Sequence, residues 1–301
     1  MKEGSSIVGS VDTLTDIVRA AMSHTDDARL REIVDALVKH AHAFLREARL
    51  TDDEFDHGLD FIRTVGQVCH DKHNEVVLLA DVLGLSTMVK LLNTQDDGGR
   101  TPGALLGPFF RANAPECQDG ANIAFANQPG VPLFVTGTVR DKAGRPIAQA
   151  SVDVWQASPT GLYENQDPEQ PDMNLRGRFQ TDAQGRFRFR SVRPAGYPVP
   201  TDGPVGTLLA KQQRHPYRPA HLHFVVIAEG HETLISQVFA DDSEHLHNDV
   251  VFGVLRELVG RFELHDDGKA PASDVRGPYC TLACEFVLAE GTPTYPNPPI
   301  K

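Results

Sequence analysis

The stretch Arg218-Pro219-Ala220-His221-Leu222-His223-Phe224 runs on in apolar residues to Ile227, turns through Glu229-Gly230-His231 and returns over residues 233–239. Two apolar runs of strand length around a Gly-containing polar turn predict a β-hairpin. Side chains alternate faces along a strand, so Leu222 and Phe224 share one face and His221 and His223 the other. Two imidazoles on one face of a rigid element aim at one point. That arrangement suits a metal ion, since imidazole is a ligand for zinc, copper, iron and nickel. The alternative is two histidines on a solvated sheet face.

Working outward from this hairpin, a period of two extends back to residue 132. Residues 133–139 and 151–156 flank Asp141-Lys142-Ala143-Gly144-Arg145-Pro146, and this turn chemistry predicts an antiparallel pair. Residues 179–181 and 187–189 flank Asp182-Ala183-Gln184-Gly185, a second predicted hairpin. Hairpins in series without long helices between them predict an antiparallel β-sandwich.

Before residue 100 the chemistry changes, because all 21 prolines stand at Pro102 or later. Proline costs about 3 kcal/mol inside a helix, so the first third is free to coil. Ile33, Leu37, Ala41, Phe44 and Leu45 recur at three- and four-residue steps, as do Phe55, Leu59, Ile62, Val65 and Val68, and each set predicts one buried stripe. Thr51-Asp52-Asp53-Glu54 reads as a capping box that starts a helix near residue 52. A further helix is predicted over about 74–92, with Gly84 as a tolerated weak point, giving three or four helices joined by short polar links such as 24–27. The fold class is therefore α+β: a helical domain over 1–100 and a β-sandwich domain over 101–301.

Composition excludes several functions. The 301 residues carry 29 Lys+Arg against 41 Asp+Glu, a net charge of −12, with 40% hydrophobic residues. This is a globular composition, and its acidic balance, without a basic stripe, disfavours nucleic acid as a partner. No apolar run approaches the about 18–20 residues of a spanning helix. Met1-Lys2-Glu3-Gly4-Ser5-Ser6 has no apolar segment after it and does not read as a signal peptide. Four scattered cysteines, Cys69, Cys117, Cys280 and Cys284, suit a reducing compartment, so a cytoplasmic location is expected. Cys280 and Cys284 are expected to be core thiols on or beside a strand rather than half of a metal site.

A metal at His221 and His223 needs other donors. Two of the five tyrosines stand in upstream loops: Tyr163 in Gly161-Leu162-Tyr163-Glu164-Asn165 and Tyr197 in Ala195-Gly196-Tyr197-Pro198-Val199-Pro200. By itself tyrosine is a packing residue with a wet tip. The order Leu-Tyr-Glu-Asn, Gly-Tyr-Pro, Arg-Pro-Ala-His-Leu-His-Phe nevertheless resembles the intradiol ring-cleavage dioxygenases, non-haem iron(III) enzymes that open catechol-type rings between their two hydroxyls.

The resemblance implies that Tyr163, Tyr197, His221 and His223 bind one Fe(III) per subunit, and that Tyr197 is the axial ligand that leaves and takes a substrate proton. It implies that Arg218 stands over the substrate ring, where a permanent cation stabilises developing negative charge, and that Gln237 is a second polar group of the site. It also implies a homodimer formed through the N-terminal helices, with lipid between them. Leu78, Leu105, Leu106, Gly107, Phe109, Val199, Pro200 and Val251 match the family's apolar pocket. Asp81 and the stretch Val250-Val251-Phe252-Gly253-Val254 resemble the subgroup acting on hydroxyquinol (1,2,4-trihydroxybenzene), where the acid accepts a hydrogen bond from the third hydroxyl. The expected products are 3-hydroxy-cis,cis-muconate and its tautomer maleylacetate, and the rival substrates are catechol and chlorocatechol. Leu246-His247-Asn248-Asp249 departs from the subgroup's more acidic run and is read as a surface change, and His245 and His247 as residues of a polar loop.

Two readings from other classes remain. A non-catalytic β-sandwich binding module would use the tyrosines as a platform and leave the histidines incidental. A zinc hydrolase built on His221 and His223 lacks an evident acidic third ligand with a neighbouring general base.

Overall fold

Freedom from proline lets the first third coil. Its helices in the computed structural model are α1 (Val11–Ala21), α2 (Ala28–Ala48), α3 (Asp52–Gln67), α4 (Glu75–Val82) and α5 (Leu85–Leu92). The structure describes residues 7–71, 73–93, 98–125 and 128–299, so the opening segment read above for a leader lies outside the described residues. The capping box is present: the Thr51 amide donates to Glu54 Oε2 (2.9 Å) and the Glu54 amide to Thr51 Oγ1 (3.3 Å). Asp27 caps α2 in the same spirit, accepting from the amides of Arg29 and Leu30.

Two helical expectations are corrected. The single helix over 74–92 is two helices, because Gly84 has φ +72°, a left-handed conformation that ends α4 and starts α5 at a new angle. The stripes on α2 and α3 are not buried within the chain: Leu37 is 63% and Ile62 65% exposed, and of the ten stripe residues only Val65 is buried. Periodicity identified the face without identifying what covers it.

The chain divides into two compact units, Met1–Arg63 and Thr64–Lys301, and α4 and α5 belong to the second. The rest of that unit is built from β1 (Pro132–Asp141), β2 (Ser151–Gln156), β3 (Arg176–Gln180), β4 (Arg186–Val192), β5 (Tyr197–Pro198), α6 (Pro204–Lys211), β6 (Tyr217–Arg218), β7 (His221–Ile227), β8 (Leu234–Ala240), β9 (Val259–Gly260), β10 (Glu263–His265) and β11 (Tyr279–Leu288). One sheet runs β10-β11-β1-β4, the other β3-β2-β7-β8-β9, and β5 and β6 form a separate two-stranded ladder.

The α+β class stands, with one qualification and two corrections. The sheets are mixed, since β11 runs parallel to β1 and β9 parallel to β8. Of the three predicted hairpins only β7–β8 is one. β1 and β2 lie in different sheets, as do β3 and β4. Both turns exist, closed by the Asp141 amide on Arg145 O (2.9 Å) and the Asp182 amide on Arg186 O (2.8 Å), but beyond each turn the strands diverge to opposite layers. Phe187, Phe189 and Phe286 from one sheet meet Val152, Phe179 and Phe224 from the other in a single core. Truncating one such phenylalanine would cost about 3–5 kcal/mol. Cys280 is a fully buried thiol on β11 and Cys284 a half-buried one.

Candidate metal centre

Strand alternation does what the sequence requires of it. On β7, Leu222, Phe224 and Val226 enter the inter-sheet core, which turns His221 and His223 to the opposite face, both 1% exposed. Register then surrounds His223: Trp155 of β2 lies opposite on one side and Gln237 of β8 on the other. The Trp155 indole stacks on the His223 ring at 4.6 Å and 10°.

The tyrosines arrive from separate elements. Tyr163 sits in a turn closed by its own amide on Gln166 Oε1 (3.0 Å), and the following Glu164 is clamped by Arg176 (2.7 Å) and Arg111 (2.8 Å). Tyr197 is placed by the two-residue ladder that sets it opposite Arg218. The four donors converge. Tyr163 Oη is 3.3 Å from Tyr197 Oη and 3.1 Å from His223 Nε2, and the two histidine Nε2 atoms are 3.0 Å apart.

These spacings fit a metal. Donors about 2.1 Å from a shared centre, at angles of about 90–105°, stand about 3.0–3.3 Å from each other. Protonation agrees for the imidazoles. Burial pushes His221 down to about 3 and His223 well below its ordinary value, so both are neutral, the form that ligates. His221 Nδ1 lies 2.7 Å from the Pro219 carbonyl, which can only accept, so the proton is on Nδ1 and Nε2 presents its lone pair. Burial, together with the neighbouring Tyr197, holds the Tyr163 phenol well above its usual range, so a strongly charged cation is needed to ionise it. Among the described residues no trio of His, Cys, Asp or Glu is placed to hold a metal, so a centre here must recruit the tyrosines.

A cavity of about 190 Å³ adjoins the donors. An engineered apolar cavity of ~150 Å³ accommodates benzene, so the space is that of a single ring. Leu78, Asp81, Leu105, Gly107, Phe109, Val199, Pro200 and Val251 all line it, together with Tyr197 and Arg218. Leu106 does not line it and packs behind, among Phe109, Tyr163 and Tyr197. Asp81 is 8% exposed, and burial raises its carboxyl above the ordinary value despite a hydrogen bond with Ser86. Gln237 lies outside the lining, donating to Leu105 O (2.6 Å), accepting from Arg218 Nη2 (3.1 Å) and standing 3.3 Å from His223 Nδ1.

Sequence reasoning missed several residues. His73, Asn74, Val77, Pro108, Asn165 and Gln166 complete the lining; the polar ones lie outside the periodic stretches and gave no signal, and Val77 stands on α4 beside Leu78. Asp249 corrects an expectation outright: the residue read as part of a surface change is 5% exposed and ion-paired with Arg218 at 3.1 Å.

Comparison with known proteins agrees with this geometry. A family model described as "Catechol dioxygenase N terminus" matches residues 27–101, and one described as "Dioxygenase" matches 105–288. The chain belongs to the intradiol ring-cleavage dioxygenases. It is 40% identical over 277 residues to a hydroxyquinol 1,2-dioxygenase of Rhizobium sp. (strain MTP-10005), covering 91% of this chain and 94% of that enzyme. It is 37% identical over 256 residues to a catechol 1,2-dioxygenase of Candida albicans (strain SC5314 / ATCC MYA-2876), covering 84% of each. Among solved structures, the hydroxyquinol 1,2-dioxygenase of Pseudomonas putida DLL-E4 superposes with a TM-score of 0.86 at 37% identity, covering 93% of this chain and 99% of that one. Iron is the metal this family is known to use, and the two-phenol, two-imidazole donor set suits a hard ion better than a soft one.

Proposed function

We propose that this intradiol dioxygenase holds Fe(III) through Tyr163, Tyr197, His221 and His223 and inserts both atoms of O2 into hydroxyquinol. The product is 3-hydroxy-cis,cis-muconate, which tautomerises to maleylacetate. The observation that carries the substrate choice is Asp81, a buried carboxylate in the wall of a ring-sized cavity that also presents Tyr197 and Arg218.

Bound iron supplies Lewis-acid chelation of two adjacent hydroxyls and a template for dioxygen chemistry. The chain supplies the rest. Of the four donors only Tyr197 lines the cavity, which suits it to release its hold and accept a substrate proton at Oη. Arg218 offers a fixed cation to negative charge developing on the ring. Leu78, Phe109, Val199 and Val251 exclude water around it, and Asp81 accepts from the third hydroxyl. A buried acceptor strongly disfavours an analogue lacking the hydroxyl, because its own polar group is left unpaired.

The test is a visible spectrum of the purified protein with metal analysis, before and after anaerobic hydroxyquinol, followed by turnover on hydroxyquinol and catechol. A red-brown protein with about one iron per chain, a band that moves to longer wavelength with substrate, and faster turnover of hydroxyquinol are expected from two phenolate donors. A protein colourless after iron loading overturns the ligand set and restores the binding-module reading. A coloured protein that prefers catechol or a chlorocatechol overturns the role of Asp81 alone.

The partner of the exposed stripes is a second copy of this chain, as the family likeness implies, with lipid held between the helices. The supporting observation is the row of exposed apolar side chains on α2, including Ile33, Leu37 and Phe44. Light scattering should report a dimer that Leu37→Glu converts to monomer; a monomeric parent protein overturns the pairing, and organic extraction with mass spectrometry reads the lipid. Four free thiols fit a cytoplasmic setting. Among the described residues, no helix is long and apolar enough to cross a membrane.

A further inference from the structure

We propose that Asp249 is a positioning residue for the ring-opening reaction, acting by fixing the Arg218 guanidinium. The inference rests on the catalytic role given to Arg218 above.

The geometry is that of a filled fork. Arg218 Nε donates to Asp249 Oδ1 (3.2 Å) and Nη2 to Oδ2 (3.1 Å). The other side of the carboxylate is occupied by backbone: the Val251 amide donates to Oδ1 (3.3 Å) and the Gly253 amide to Oδ2 (3.0 Å). Both residues are buried, so the pair is little screened by water. Two parallel bonds hold a planar guanidinium in one orientation, which a single contact cannot do. The remaining anchor on Nη2 is Gln237 Oε1 at 3.1 Å. Gly253 fits this packing closely, since a Cβ there would stand 2.9 Å from Arg218 Nη2 and 3.1 Å from Asp249 Oδ2. A cation that must meet charge appearing only during reaction is useful only if it is already in place.

The fork predicts a kinetic signature. In Asp249→Asn, one amide hydrogen-bonding edge becomes a donor and faces donors, so the guanidinium loses its orientation. With iron bound, kcat should fall by about 10–100-fold, while the dissociation constant for hydroxyquinol, read by anaerobic visible titration, changes less than about threefold. Gly253→Ala tests the same geometry without altering charge and should lower kcat in the same way; it also serves if Asp249→Asn does not accumulate.

The decisive measurement is the double-mutant cycle with Arg218→Gln. If Asp249 acts through Arg218, Asp249→Asn adds little further loss of kcat in the Arg218→Gln background, although melting temperature can fall in both. An equal loss of kcat in the two backgrounds overturns the proposal and leaves Asp249 a structural residue. A normal kcat for Arg218→Gln alone overturns the catalytic role of Arg218 instead, a separate failure.

Discussion

The two ends of the cavity are built differently. At the donor end, two of the proposed ligands are next-but-one neighbours on β7, their direction is fixed by strand alternation, and His223 is braced by Trp155 and Gln237 from the adjoining strands. At the recognition end, Leu78 and Asp81 come from a short helix, Val199 and Pro200 from the chain after β5, and Val251 from a loop more than 160 residues beyond α4. On the proposed function, chemistry sits where the backbone is most determined, and choice of substrate where separate segments meet. Changes at the first end should abolish the reaction, whereas changes at the second should redirect it.

The largest effect expected is therefore at the donor end, and it distinguishes the two tyrosines. Tyr163 is fully buried and outside the cavity lining, whereas Tyr197 lines it. On the proposed ligand set, Tyr163→Phe removes a permanent donor and lowers iron affinity by more than the about 10–100-fold that follows loss of a supporting hydrogen bond. Tyr197→Phe should retain iron and part of the visible band yet lose turnover, because the group that accepts the substrate proton is gone. Metal analysis and the visible spectrum of both variants check this. Equal iron loss in both would break the division between a permanent and a releasable ligand.

The same contrast explains what could be read from sequence. The shared face of His221 and His223 could be read because alternation along one hairpin is local information, whereas Gln237, Tyr163 and Tyr197 were picked out only because the motifs resemble a known family. The other two hairpins misled because turn chemistry fixes only the turn. The Gly185 amide closes on Asp182 O (2.9 Å) as expected, and packing against distant strands then sends β3 and β4 to different sheets. Gly84 looked like a weak point within one helix, but its left-handed backbone is where the helix ends. Asp249 looked like surface because its partner Arg218 lies 31 residues away, and nothing local announces a buried counter-charge. The stripes on α2 were legible as faces and illegible as exposed.

At the recognition end a smaller and more selective effect is expected. Asp81→Asn removes the anionic acceptor while conserving shape, so the ratio of kcat/KM for hydroxyquinol over catechol should fall by about 10–100-fold, the scale of one buried charged hydrogen bond. The visible band should be unchanged, since the donor end is untouched. An unaltered ratio would show that the cavity's apolar walls, and not Asp81, set the preference.

The smallest effect concerns stability, and its sign follows from Asp81's surroundings. Burial raises its carboxyl above the ordinary value, outweighing the opposing hydrogen bond with Ser86 and the charge of Arg218. The folded protein therefore binds that proton more tightly than the unfolded chain does. Keeping the group ionised opposes folding at neutral pH, and the opposition fades as pH falls through the folded value toward that of the unfolded chain. Asp81→Asn should accordingly melt a few degrees higher than the parent at neutral pH, with the gap closing as the solution is acidified. A site that spends stability on recognition behaves this way. A variant that melts lower at neutral pH would mean that the Asp81 carboxylate is held by its neighbours as firmly as the donor end is, and the contrast between the two ends would then lie in their chemistry alone.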